Sequence, residues 1–402
     1  MSNSTVTSPP PTPPMGKRGK QRFKSINLPC EWVEDYYPGS YHPVILGDVF
    51  KNGQYKVIRK LGDGSFSTVW LAHDLVNNRY IALKIMVSKV SQPTDELELL
   101  HHIAKSAPAE SAQYITELLD EFEHHGPNGM HKCLAFEPMG PSVSSMVEEL
   151  PQFNPRMFGM KPGNILFVAN DISSLSEEVL RQAEDVETYS ISKPVERLDG
   201  KEDKWAPKYL CVGQPLVPFT NHGEGFKVKL SDLGGSYFFN KSPTKVITPL
   251  GLRPPEMILT GTVDKTADIW SFGCLLFEFI TGESLFLLLD HNFEDNEYLL
   301  ALTGRLGTLP DELFRHWKSS SLYYTPDKKL FNTLYGGVKE GEDPYIWDEI
   351  SVSMEQAFDR TNPDLGEEEA SQVKSLIRRI LHYDPLQRPS PAEILSDPWF
   401  SQ

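Results

Sequence analysis

Met157-Phe158-Gly159-Met160-Lys161-Pro162-Gly163-Asn164 runs straight into the apolar, strand-like Ile165-Leu166-Phe167-Val168. A lysine and an asparagine three residues apart, on a Pro/Gly loop ahead of a short buried strand, can present one cation and one amide to a single ligand. Taken alone, Pro-Gly followed by Asn is ordinary turn chemistry. Only the company this stretch keeps can lift it above that.

At 402 residues the chain can hold one large or two ordinary domains, and 39% hydrophobic with 23% charged residues fits a soluble globular protein. Cys30, Cys133, Cys211 and Cys274 are scattered without C-x-x-C or metal-ligand spacing. That argues against a disulfide framework or zinc site and favours a reducing compartment. The best apolar run, 271–289, carries Glu278 and Glu283 and reads as a core helix rather than a membrane span. No signal-peptide region is expected at the N-terminus. The net charge of −16 is uneven: Lys17, Arg18, Lys20, Arg22 and Lys24, with no acid in residues 1–30, leave −21 for the rest. Such a body repels nucleic acid and attracts basic partners, although charge kept for solubility explains it as well. The basic cluster 17–24 is short for a nuclear-import signal.

Residues 1–35 read as a disordered Pro-rich, basic tail. Strand patterns follow at 55–61, 67–72 and 80–86, then a helix over 94–104, then strands at 115–122 and 131–136 around the turn Gly126-Pro127-Asn128-Gly129. Beyond Asn164 an acidic, weakly periodic stretch, about 171–224, reads as a loop-like insertion with one helix near 176–184. The strand 226–230 comes next, and helices dominate after 262, at 267–281, 296–306, 368–382 and 390–395. The fold class is therefore α+β, β-rich first and helical later.

Leu61-Gly62-Asp63-Gly64-Ser65-Phe66-Ser67-Thr68-Val69 is a glycine loop between two strands. Glycines let backbone N–H groups approach phosphate without a Cβ in the way, but a tight hairpin uses the same residues. The strand-loop-strand setting argues against a dinucleotide fold. Lys84, inside the apolar Ile81-Ala82-Leu83-Lys84-Ile85, is costly unless paired, and Glu96 on the following helix is a natural partner. Asp232, at a strand end before Leu233-Gly234-Gly235, suits a metal-binding carboxylate or an ordinary Asp-x-Gly turn.

Taken in order, these elements, with Arg253-Pro254-Pro255-Glu256 and Asp268-Ile269-Trp270-Ser271-Phe272-Gly273, make the chain resemble a eukaryotic protein kinase from about residue 40 to 400. It is similar in particular to the SR-protein kinases. Tyr41-His42-Pro43-Val44 before Gly47-Asp48, the run Val57 to Leu71, an insertion before the metal-binding Asp, and Asp-Leu-Gly in place of Asp-Phe-Gly carry that resemblance. It implies a two-lobed fold. The N-lobe, 36–137, would be β-rich with one helix (αC in the usual lettering), and the C-lobe, 138–402, mainly helical. It also implies ATP and Mg²⁺ as cofactors. Gly62 and Gly64 would cover the phosphates, with Leu61, Ser65, Val69 and Ala82 completing the nucleotide site. Lys84 would pair with Glu96 and the α/β-phosphates, and the hinge 136–139, with Glu137 and Met139, would hold adenine. Lys161 would steady the transferred phosphate, Asn164 and Asp232 would hold magnesium, and Glu256 would pair with Arg388. The implied partners are basic Arg/Ser-rich proteins such as splicing factors. Neither nucleic acid nor membrane is bound directly, and the protein is expected to be a cytoplasmic and nuclear monomer. The acidic run 340–369 would attract a basic peptide, or it is a solvated acidic loop.

The pattern breaks at the opening stretch. The family places His-x-Asp two residues ahead of this Lys. Here the Asp position is Gly159 and the His position is Met157, and no acid lies between Leu150 and Asn170. Between hinge and catalytic loop the fold needs two helices, roughly 30 residues with their links. Residues 140–159 leave room for one, near 142–149, so the long buried helix before the catalytic loop (αE) is expected to be missing. A skipped exon or misplaced splice, a genuine short isoform and a divergent pseudokinase each explain this. The intact flanking motifs favour a clean excision.

Overall fold

Alternating apolar residues carry the first part of the chain into a sheet. The computed structural model describes residues 21–91, 95–143, 145, 163–238, 248–286 and 295–401. These divide into two units: one holds the described residues up to 145 together with 163–236, the other those from 237 onward.

In the first unit, β1 (Val49–Phe50), β2 (Tyr55–Gly64), β3 (Ser67–Asp74), β4 (Arg79–Met86), β5 (Leu118–Gly126) and β6 (Gly129–Phe136) form one antiparallel sheet in the order β1-β2-β3-β4-β6-β5. The helix α1 (Asp95–Ser106) enters between β4 and β5 and is followed by the single turn α2 (Ala109–Ala112). A second antiparallel sheet, β7-β8-β9, joins Met139–Ser142, Ile165–Val168 and Val228–Leu230. The strand expected at 115–122 is displaced toward 126, because Ile115 instead bridges in parallel to Leu230 of β9.

Two expectations need correction, and a third gains detail. The tail does not extend to residue 35: Phe23 is fully buried, Val33 and Tyr36 nearly so, and the Lys24 N–H donates to the Glu196 carbonyl. Residues 1–20 lie outside those described. The insertion is loop-like with one helix, as expected, but it is packed against the sheet. Around its short helix α3 (Glu177–Leu180), Ile172, Leu180 and Leu216 pack with Ile58, Leu71 and Tyr80, while Ile191 and Cys211 join the cluster of Val57, Trp70 and Leu83. Each fully buried leucine among these contributes about 2 kcal/mol. As a result the unit does not end at residue 137; it takes in 138–145 and the segment 163–236. The helix expected near 142–149 lies almost wholly outside the described residues, as does the place of the missing helix.

The second unit is helical: α4 (Pro255–Leu259), α5 (Thr266–Thr281), α6 (Asp295–Leu306), α7 (Asp311–Phe314), α8 (Met354–Thr361), α9 (Glu367–Ile380) and α10 (Pro391–Leu395). Trp270 and Phe277 of α5, Tyr298 and Leu300 of α6, Phe358 of α8 and Ile377 of α9 share one core. Gly273 lets α5 approach α9, since a Cβ there would lie 2.5 Å from an Ile380 methyl. Ser353 and Ser390 close capping boxes at the starts of α8 and α10, and Gly282 ends α5 at φ +71°.

Candidate active site

The polar centre of the first unit is Lys84, on the buried strand β4. Its ammonium lies 2.8 Å from Glu96 Oε1 on α1 and 2.8 Å from Asp232 Oδ1. Burial alone would lower the Lys84 pKa, but Glu96 and Asp232 outweigh it and hold the group above the usual lysine range. The lysine is therefore a fixed cation with one buried partner and one half-exposed partner.

Asn164 and Asp232 come together through the second sheet. Ile165 pairs with Leu230, and the Ser231 N–H donates to the Asn164 carbonyl at 2.8 Å, so both residues leave paired strands at the same end. Asp232 takes a left-handed conformation, φ 54°, ψ 70°, one that Asp and Asn adopt more readily than most residues.

A cavity of about 420 Å³ opens here, within the range of small-molecule sites. Leu61, Val69, Ala82, Met139 and Leu166 supply apolar walls, and Lys84, Asn164 and Asp232 the polar end. Gly62 and Gly64 border it, with no atom within 4 Å of where a Cβ would sit on either. An apolar slot for a flat base, a glycine loop with no Cβ in the way, one cation, and an amide beside a carboxylate fit a magnesium nucleotide. Of the residues named from sequence, Ser65 does not line the cavity; Asp63 and Ser67 do. Lys161, Met157 and Gly159 lie outside the described residues. Thr116, Ser145 and Pro215 also line it. The sequence did not single them out: Thr116 and Ser145 lie in segments legible only as a strand and a helix, and Pro215 in the weakly periodic insertion.

The carboxylates of the described lining are engaged. Asp232 pairs with Lys84, and Asp63 with Lys60 at 2.8 Å. Glu137 accepts at Oε1 from the Glu117 N–H at 2.8 Å and from Lys229 Nζ at 2.5 Å. In the second unit Glu256 and Arg388 form the expected pair, bidentate at 2.7 and 2.8 Å and buried on both sides.

The protein kinase domain model matches residues 218–400 of this chain. The serine/threonine-protein kinase SRPK of Physarum polycephalum is 27% identical, with 92% of this chain and 91% of that protein covered. Protein kinase dsk1 of Schizosaccharomyces pombe is 24% identical, with 96% and 87% covered. SRSF protein kinase 3 of Homo sapiens is also 24% identical, with 92% and 90% covered. A solved kinase-domain crystal structure superposes with a TM-score of 0.55 over 89% of this chain and 98% of its own, at 23% identity, which speaks to the fold. The fold is thus that of the two-lobed protein kinases. Within that class, the chain is similar over most of its length to serine/threonine protein kinases of the SR-protein kinase type.

Proposed function

We propose that this chain binds Mg-ATP in the cavity of the first unit and recognises Arg/Ser-rich proteins, splicing factors among them, but transfers phosphate to their serines at a strongly reduced rate. The Lys84–Glu96–Asp232 cluster beside Asn164 carries the nucleotide reading. Bound Mg-ATP would bring the transferable phosphoryl group and a metal to neutralise its charge. Lys84 would orient the phosphates, Asn164 and Asp232 would hold the metal, and Glu137 and Met139 would meet the base through their backbone.

The reduced rate rests on the missing acid. Gly159 stands where the family places its Asp, and the described carboxylates of the cavity are already paired. Loss of a general base costs about 10²–10⁴-fold. The alignment to the Physarum kinase runs over 409 positions, more than the length of this chain, so the relative carries residues with no counterpart here. The shortness of 140–159, too few residues for the two helices needed there, supports an excision between hinge and catalytic loop. The same observation favours a second reading, a non-catalytic nucleotide- or Arg/Ser-peptide-binding scaffold.

Substrate attraction is supported by the exposed Glu340, Glu342, Asp343, Asp348, Asp364, Glu367 and Glu368. Other acids of that run are locally neutralised, Glu349 by Arg360, Glu355 by Arg378 and Asp359 by Lys374. Residence in both cytoplasm and nucleus, as a monomer without direct nucleic-acid contact, belongs to the same proposal.

Titration with ATP in the presence and absence of Mg²⁺ tests the nucleotide reading. Wild type should show Mg²⁺-dependent binding that Asp232→Asn removes. Metal-independent binding, unchanged in Asp232→Asn, would refute it.

A further inference from the structure

The glycine loop sits at the end of β2, and β1 covers the outer edge of that strand only at Tyr55 and Lys56. Val57 still bonds Gly47 and Asp48; backbone groups beyond it need partners, and the insertion supplies three such bonds. The Gln182 N–H donates to the Ile58 carbonyl at 2.9 Å, the Lys60 N–H to Gln182 Oε1 at 2.8 Å, and the Gln214 N–H to the Lys60 carbonyl at 2.8 Å. Gln182 is itself buried, its amide donating to the Ser190 and Val212 carbonyls at 2.9 and 3.0 Å.

The side chain of Lys60, two residues before Gly62, has no solvent exposure. Its ammonium meets Glu31 of the N-terminal segment, Asp63 of the glycine loop at 2.8 Å and the Cys211 carbonyl of the insertion at 3.1 Å. Burial alone would lower its pKa; Glu31 and Asp63 outweigh that and keep it a cation. The Tyr36 hydroxyl donates to Glu31 in turn. Further along the loop, the Tyr41 hydroxyl donates to the Gly64 carbonyl at 2.7 Å. Gly213 lies against the loop, where an added Cβ would be 3.4 Å from the Gly62 Cα.

We propose that the insertion and the N-terminal segment form a clamp on the glycine loop, pinned at Lys60, which makes Lys60, Gln182 and Gly213 positioning residues for nucleotide binding. The proposal rests on the reading of the cavity as the nucleotide site. Glycines leave such a loop many conformations, and a ligand that must first order it binds more weakly. Contacts that hold it closed beforehand remove that penalty.

Two changes in the full-length chain test the clamp. Gly213→Val presses a branched side chain onto Gly62 without opening the core. The double variant Lys60→Met with Glu31→Gln removes the buried charges together. Mg-ATP affinity and hydrogen exchange across residues 61–68 of the ligand-free protein are measured with the melting temperature. If either variant leaves the loop closed about one-tenth of the time, affinity falls about tenfold. That loss, with faster exchange over 61–68 and an unchanged melting temperature for Gly213→Val, is the expected result. Wild-type affinity and exchange in both variants overturn the clamp. So does a lowered melting temperature with neither of the other effects. If wild type binds no Mg-ATP, the nucleotide reading fails by itself. The ligand-free exchange then decides alone, lost protection supporting the clamp and unchanged protection overturning it.

Discussion

Lys84 shows how one residue links sequence to chemistry. An ammonium on a buried strand must be paired, and Glu96 and Asp232 pair it, which draws together α1, β4 and the end of β9. Order in the sequence made all three legible, because each sits beside a signal that can be read locally: an apolar strand, a helix start, a strand-end Asp before glycines. Arg388 and Glu256 repeat the logic in the second unit, where both partners are buried. Replacing one leaves the other charged and desolvated. Glu256→Ala is therefore expected to destabilise that unit by about 3–5 kcal/mol, as read from urea unfolding. A change within about 0.5 kcal/mol, the scale of ordinary surface substitutions, would show that the pair is not energetically significant.

At the scale of elements, the strands and helices were legible and the packing of the insertion was not. Tyr55 to Lys60 and Ile81 to Ile85 announce strands by composition and alternation. Leu180, Ile191, Leu210, Cys211 and Leu216 are all buried, yet they follow neither period 2 nor period 3.6, because irregular backbone delivers them to the sheet. Phe23 escaped notice for the same reason. A histidine cluster adds a pH dependence to this unit. The ring of His42 lies 4.6 Å from that of His124 on β5 and 4.9 Å from that of His131 on β6, with Phe50 alongside. Burial, then the neighbouring histidines His131 and His124, push His42 down to about 3. Burial also lowers His124, where His125 adds to the effect and Asp48 opposes it, and His131. The unfolded chain takes up these protons near the usual histidine value and the folded chain does not. Stability is thus full above about pH 6.5 and declines as pH falls toward the folded values. At pH 5 His42 alone withdraws about 2 kcal/mol. Denaturant unfolding at pH 7.5 and 5 should show that decline, reduced in His42→Gln; equal stability at both values would refute it.

Over the whole molecule, charge and incompleteness set the behaviour. With −16 overall and its acids concentrated outside the first 30 residues, the chain should hold a basic Arg/Ser peptide through screened attraction. Affinity should then weaken severalfold between about 0.05 and about 0.5 M salt, which a fluorescence-anisotropy titration reads directly; salt-independent binding would mean the acidic surface is not used. The central claim is that a nucleotide-competent kinase fold lacks the acid that serves the substrate hydroxyl. Its most direct test is single-turnover transfer from Mg-ATP to an Arg/Ser peptide, measured beside the Physarum kinase under nucleotide saturation confirmed for both. A rate at least about 10²-fold lower for this chain, with Mg-ATP bound, is the predicted result. Transfer at the relative's rate would contradict it.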